Sequence, residues 1–369
     1  MRPERQALLA AVVGVSPSIA DEAVRTDEEA GFPQESFAHL RHIGALRATL
    51  PESLGGLGFG YGSDGAVDLL KLFQELGEAS LAVARLYEAH VNALQLICRY
   101  GTRGLQIRCA EDATAGELFA LWVTDPQDGA AVLRSCSGGW RLQGGKAFCS
   151  GAGVATRALI TAATEHGTQM LVISLEPGTR VQPNTIKLSG MRAAITGSVD
   201  LAGMQVAEGA LLGAVGDYLR EPVFSAGAWR GSAGALGGLT ALIKLHRAEI
   251  CKRQRGADPH QQARFGKMVM AHETARLWLT QAALRACLED ESDAAIVAYV
   301  NLARLAVEDA CLQAMRLTQR GLGLGAFILG HPAERICRDL ATYLRQPAPD
   351  ETLTDAARHY FHANLPGAD

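Results

Sequence analysis

The stretch Gln319-Arg320-Gly321-Leu322-Gly323-Leu324-Gly325-Ala326-Phe327 decides the fold, together with two downstream segments. Pro332-Ala333-Glu334-Arg335 comes next, then Arg338-Asp339-Leu340-Ala341-Thr342-Tyr343-Leu344-Arg345-Gln346-Pro347. The spaced glycines permit close backbone approach after a helical run. The segment ends on Pro347, which has no titratable group.

Working outward, the chain from about 218 to its end reads as helical. Leu239, Leu242, His246 and Ile250 recur on one helical face, and runs at 268–289 and 293–320 repeat the pattern. From about 117 the texture differs. Phe119–Thr124, Trp140–Gly144, Ala158–Ala162, Met170–Leu175 and Val199–Val206 are short and apolar or alternating, with Gly, Pro, Asn and Asp between them. They read as strands of an antiparallel domain. Residues 1 to about 115 are again helical, as in Val67–Leu76 and Leu81–Leu94. The spacing therefore predicts an α+β protein in three blocks: an N-terminal helical domain over 1–115, a central antiparallel β domain over 116–213, and a C-terminal helical bundle over 214–369.

The 369 residues are 48% hydrophobic, enough for a large core. Net charge is −4 with no basic run, which argues against a nucleic-acid partner. The eight cysteines are scattered with no C-x-x-C pair, so no metal site or disulfide framework is expected. Reduced thiols point to a cytoplasmic protein. The apolar run Ala7–Val13 is bracketed by Glu4, Asp21, Glu22 and Arg25 and reads as an amphipathic helix, not a targeting segment. No stretch approaches the roughly 18 apolar residues of a membrane span.

Four motifs, in order, resemble the acyl-CoA dehydrogenase family across nearly the whole chain. Leu50-Pro51-Glu52-Ser53-Leu54-Gly55-Gly56-Leu57-Gly58 is similar to the family's Val-Pro-Glu-x-x-Gly-Gly-x-Gly. Taken alone, it is a tight turn between helices. Trp122-Val123-Thr124-Asp125-Pro126 resembles Leu-Thr-Glu-Pro, and Gly144-Gly145-Lys146-Ala147-Phe148-Cys149-Ser150 resembles Gly-x-Lys-x-Trp-Ile-Thr. The fourth is the glycine segment, resembling Gln-x-x-Gly-Gly-x-Gly before an Arg-Asp helix, with Leu322 at the first glycine.

The resemblance implies an FAD cofactor and site residues. Thr124 stands where the family has a threonine beside the flavin pyrimidine ring. Ser150 replaces the threonine near flavin N5, and Phe148 replaces its tryptophan wall. Gln319, Gly323 and Gly325 stand where the family meets the adenosine end of FAD bound in a neighbouring subunit. Phe265-Gly266-Lys267 resembles Arg-x-x-Phe-Gly-Lys, but its pyrophosphate-gripping Arg is Gln262 here. Arg264, Arg253 or Arg255 would then pair the diphosphate. A homodimer or homotetramer is implied.

The catalytic positions depart from that pattern. The family's catalytic Glu falls on Pro347, nine residues past Arg338, and its thioester-side Ser falls on Ala130. Some members place the base near the first C-terminal helix, where Glu221 is the nearest carboxylate. The bland alternative is a helix-start Glu before Pro222. A second branch, the flavin-dependent monooxygenases, has a tail resembling Arg-x-x-x-Thr-His-x-x-His-Asp-Pro. Thr342 matches it, while Tyr343 and Gln346 replace the histidines. His90 sits about where that branch keeps an active-site His, though a packed helix His reads equally from the pattern. The resemblance thus implies an FAD-dependent oxidoreductase acting on CH–CH bonds of an acyl thioester or related small molecule, with acyl-CoA as one candidate and an electron-transfer partner. Oxygen-dependent monooxygenation with reduced flavin is the close alternative. A catalytically silent flavoprotein or scaffold subunit is the third.

Overall fold

The computed structural model describes residues 2–182, 186–288, 290–345 and 347–367, so Gln346 lies outside the described residues. Helices come first: α1 (Pro3–Glu29), α2 (Gln34–His42), α3 (Gly62–Ala79), α4 (Leu81–Tyr100) and α5 (Arg103–Ala115). The strands are β1 (Phe119–Trp122), β2 (Val132–Cys136), β3 (Gly139–Gln143), β4 (Gly145–Cys149), β5 (Arg157–Thr164), β6 (Gly167–Ser174), β7 (Val181–Gln182), β8 (Gly197–Asp200), β9 (Gln205–Val206) and β10 (Leu211–Leu212). Helices resume with α6 (Val223–Ala226), α7 (Trp229–Lys252), α8 (Pro259–Arg285), α9 (Asp293–Leu322), α10 (Pro332–Tyr343) and α11 (Pro349–His362).

Local chemistry sets several boundaries. Ser80 caps α4 by accepting from Val83 N, and Thr102 caps α5 by accepting from Leu105 N. Asp258 accepts from His260 N and Gln261 N, with Pro259 opening α8. The Gly-rich loop is a turn, with Gly55, Gly58 and Gly60 all at positive φ. The face expected from Leu239, Leu242, His246 and Ile250 is buried.

The β domain is not wholly antiparallel. The larger sheet runs β10-β6-β5-β2-β3-β9, and β1 pairs with β5 in parallel, Phe119 opposite Arg157. Other strands separate β1 from β5 in the chain, so no hairpin constrains their direction. The smaller sheet is β4-β8-β7. One apolar cluster joins α4 and α5 to β1, β5 and β6 through Leu94, Ile97, Cys109, Phe119, Leu159 and Met170. Helix α4 thereby lies on the β domain.

Helix α1 corrects one expectation. Its length, and a mean hydropathy of 1.5 over an 18-residue stretch, would suffice to cross a membrane. Here Leu8, Val12 and Ile19 pack into the helical core.

Helices α3 and α7 touch backbone to backbone. A Cβ on Gly77 would lie 2.1 Å from Gly234 O, and one on Gly237 would lie 2.2 Å from Gln74 O. Gly237→Ala is therefore expected to destabilise by about 1–3 kcal/mol through overpacking. Gly266, on α8, has nothing within 4 Å. Gly266→Ala should stabilise by about 0.5–1 kcal/mol. Thermal melts that move the same way for both variants would refute this account.

Candidate functional site

The site is built first from the exit of β1. Buried Lys146 donates to Val123 O at 3.1 Å, to Thr161 Oγ1 at 3.0 Å and to Asp125 Oδ1 at 2.6 Å. Burial lowers the Lys146 pKa, and the Asp125 bond opposes that shift. Ala147 N donates to Thr124 O at 3.0 Å, and Trp122 Nε1 donates to Ser150 O at 2.9 Å. These bonds pin β4 and the β1 exit together. Pairing of β4 with β8 shifts register between Lys146 and Cys149. Within that bulge Phe148 has φ of 52° and is 57% exposed. A bulky residue in the left-handed region is uncommon and strained. Thr124 is exposed, and Ser150 lies at the limit of burial. Among the described residues neither hydroxyl has a protein hydrogen-bond partner. The edge offers two hydroxyls and an aromatic face to a planar ligand.

Helix α4 packs beside the Ser150 end of this edge. A Cβ on Gly151 would lie 3.2 Å from Leu86 Cδ2, so Leu86 stands beside the residue after Ser150. Sequence reasoning misses the neighbouring polar groups on α4, of which Glu88 is buried and Arg85 and Asn92 are half-buried. Glu88 Oε2 accepts from Arg85 Nη1 at 2.9 Å and from Tyr343 Oη at 3.3 Å. Glu88 Oε1 accepts from Asn92 Nδ2 at 3.3 Å, and Asn92 Oδ1 accepts from Arg230 Nε at 2.5 Å. Glycines on α7 make the room: a Cβ on Gly231 would sit 3.1 Å from Glu88 Oε1, and one on Gly234 would sit 2.8 Å from Tyr343 Oη. Glu88 holds the Arg85 pKa above its ordinary value. Burial pulls Arg230 down to about 10, with Glu88 opposing. Burial raises Tyr343. The signal is present as a polar stripe, Arg85, Glu88 and Asn92, at i, i+3 and i+7 of an apolar helix.

His90 corrects its expectation. It is 0% exposed, and both ring nitrogens are engaged. Nδ1 accepts from Phe119 N at 3.1 Å, and Nε2 donates to Leu46 O at 2.6 Å. It is a strut between α4, β1 and the turn at Leu46, with no nitrogen left for a ligand. Desolvation lowers its pKa from 6.5 to about 4. A depressed folded value means the unfolded chain binds the extra proton. The contribution of His90 is intact above about pH 6.5 and is lost as pH falls toward 4. In that window wild type should lose up to about 1.4 kcal/mol per pH unit more than His90→Gln. Parallel stability curves from urea unfolding at stepped pH would contradict the strut.

Glu221 is exposed and bound locally, accepting from Ser225 N at 3.0 Å and Ser225 Oγ at 2.5 Å. That is the bland alternative, a helix-start Glu. Gln319 lies at the far end of the bundle. Gly323 N donates to Gln319 O, and Leu322 packs with Ile250, Ala326 and Ala333. Arg253 donates to Leu322 O at 3.0 Å, and a Cβ on Gly325 would lie 3.0 Å from Arg253 Nη2. Arg253 is thus the arginine at the glycine turn. Arg255 pairs with Asp258. Arg264 is half-buried on α8, close enough to His246 to lower its pKa, after desolvation.

The chain resembles known proteins in sequence and in fold. Residues 3–117 match the acyl-CoA dehydrogenase N-terminal domain. The amino sugar nitrososynthase DnmZ of Streptomyces peucetius is 30% identical over 50% of this chain and 47% of its own, so the chain spans less than half of that relative. The L-evernosamine nitrososynthase of a Micromonospora strain is 28% identical over 92% of this chain and 86% of its own. The structure of a glutaryl-coenzyme A dehydrogenase in its glutaryl-CoA complex superposes with a TM-score of 0.82 at 22% identity, covering 96% of this chain and 94% of that one. This chain carries an acyl-CoA dehydrogenase N-terminal domain and, along its described length, has the fold of the acyl-CoA dehydrogenase superfamily.

Proposed function

We propose that the protein is a flavin-dependent oxidoreductase that oxygenates a small molecule using reduced flavin and oxygen. The residues fit the cofactor. Thr124 and Ser150 carry hydroxyls without protein partners among the described residues, suited to a flavin's polar edge, and exposed Phe148 suits its apolar rings. Bound flavin would supply the redox chemistry, its two electrons letting one oxygen atom of O2 enter the substrate while the other leaves as water. The chain's own part is to hold the ring edge through Thr124 and Ser150, with α4 packed beside Ser150.

The observation that carries the oxygenase reading is the state of the carboxylates. Position 347 is proline, Glu221 is exposed and held by Ser225, and Glu88 is occupied by Arg85, Tyr343 and Asn92. None of these is poised as a base for an α-proton. The nitrososynthase that matches over 92% of the chain supports the same reading. CH–CH dehydrogenation of an acyl thioester is the second reading, favoured by the N-terminal domain match.

We take FAD as the cofactor, its adenosine end meeting Gln319, Gly323 and Gly325 of a second copy. Beside that turn Leu324, Phe327, Ile328 and Leu329 are 86%, 57%, 61% and 86% exposed, an apolar run that a second copy would cover. Dilution to monomer should then release flavin. The reaction is tested by admitting air to the reduced, flavin-loaded protein and by offering acyl-CoA thioesters to the oxidised form. A transient absorbance during reoxidation is expected, with no bleaching by thioesters. Bleaching by any acyl-CoA would reverse the choice of reading.

A further inference from the structure

We infer that Arg85 and Arg230, set around Glu88 and Asn92, form an anion subsite that selects a substrate bearing a carboxylate. The inference rests on the flavin site proposed above, because α4 brings the cluster to the edge that carries Ser150.

Donors outnumber acceptors in the cluster. A guanidinium has five N–H donors and no acceptor. Arg85 spends Nη1 on Glu88, and Arg230 spends Nε on Asn92. Among the described residues the other nitrogens of both arginines have no protein acceptor. Glu88 accepts three bonds, Oε1 from Asn92 and Oε2 from Arg85 and Tyr343, which leaves it about one of its four acceptor sites. What remains in the cluster is an excess of donors over acceptors.

Charge points the same way. Two guanidiniums and one carboxylate sum to +2 − 1 = +1. The Arg85 side chain is one-third exposed, while Glu88 is 7% exposed and Tyr343 5%. Arg85 therefore carries its positive charge nearer to solvent than the covered carboxylate of Glu88. A monoanion balances this excess, whereas a phosphate dianion would overshoot it. A planar carboxylate also matches guanidinium geometry. A plain alkyl chain laid here would strip water from the charges and return no acceptor. Glycine at 231 and 234 lets α7 pack directly against Glu88 and Tyr343, which fixes the acceptor side of the cluster.

The test is calorimetric titration of the full chain, with and without flavin. The probes are acetate, benzoate and glutarate, each against its neutral amide, with inorganic phosphate as a further arm. At least one acid should bind ten-fold or more tightly than its amide. Arg85→Gln and Arg230→Gln should each weaken that acid about 10–100-fold, as expected for losing a charged hydrogen bond. Arg85→Lys and Arg230→Lys should lose less, guarding against a folding defect in the Gln variants. Glu88→Gln raises the cluster to +2 and should tighten acid binding, a direction that mere loss of structure would not produce. Acids that bind no better than amides, or Gln variants with wild-type affinity, would overturn the subsite. Phosphate binding more tightly than every acid would overturn the carboxylate assignment. Flavin uptake is read by absorbance in the same samples. Acid binding without flavin uptake would sink the flavin reading and leave the subsite standing.

Discussion

Arg338→Ala should lower stability by about 3 kcal/mol, the low end of the range for stripping one partner from a buried ion pair, because Arg338 itself is half-buried. Arg338 Nη2 and Nη1 reach Asp27 at 2.6 and 3.1 Å, joining α10 to α1. Nε holds Glu334 at 2.8 Å, and Nη1 donates to Ser189 O at 2.9 Å. The side chains of Asp27 and Glu334 are only 10% and 15% exposed, so water would replace the guanidinium poorly. The next residue extends the junction: Asp339 Oδ1 accepts from Met191 N at 2.6 Å. Burial raises the Asp339 pKa to about 6, and Arg338 is among the groups that hold it down. Loss of Arg338 should push it higher. Arg338→Lys should recover only part of the stability, because an ammonium cannot serve Asp27 in bidentate fashion and also reach Glu334. Urea unfolding of the three proteins checks this. An unchanged midpoint in Arg338→Ala would mean that the junction bears little energy.

Ser150→Ala should reduce turnover by about 10²–10³-fold, the size of losing one positioned donor at a developing charge. Flavin uptake should persist, because Trp122 bonds to the main-chain oxygen of Ser150 and that bond survives the substitution. Glu221→Gln is the companion measurement. Under the oxygenase reading it leaves turnover unchanged, since the carboxylate is engaged with Ser225 at the surface. Under the dehydrogenase reading it should slow flavin reduction by about 10²–10⁴-fold. A Ser150→Ala protein with normal turnover would reduce the hydroxyl to a piece of strand.

Much of the architecture is legible because burial leaves a period in the sequence. Helix α7 shows its face in Leu239, Leu242, His246 and Ile250, all buried in the structure. Strands β5 and β6, apolar through most of their length, are equally plain. Strand β2 escapes a reading of pattern: Val132–Cys136 has Leu133 as its one buried residue, so little alternation marks it. Periodicity shows helix α8 only from 268 onward, although it starts at Pro259, because its first turns bury little besides Gln261. Local signals also give away the motif positions, from Thr124 and Ser150 to the Arg338-Asp339 pair.

By itself the sequence determined the order of helices and strands, the turns where glycines sit, and the motif positions that suit a flavin. These depend on neighbours within a few residues, where steric and hydrophobic preferences act directly. Only the tertiary structure decided what the polar residues do. His90 and Glu88 lie two residues apart on one apolar helix, and although the stripe of Arg85, Glu88 and Asn92 puts Glu88 on its own face, the pattern names no partner for either. Packing made one a strut between Phe119 and Leu46, and the other the acceptor for Arg85 and Tyr343. Period records that a face is buried but not what it meets. A charge in an apolar helix has a role only once its partners, here as distant as residues 88 and 343, are brought within hydrogen-bond reach.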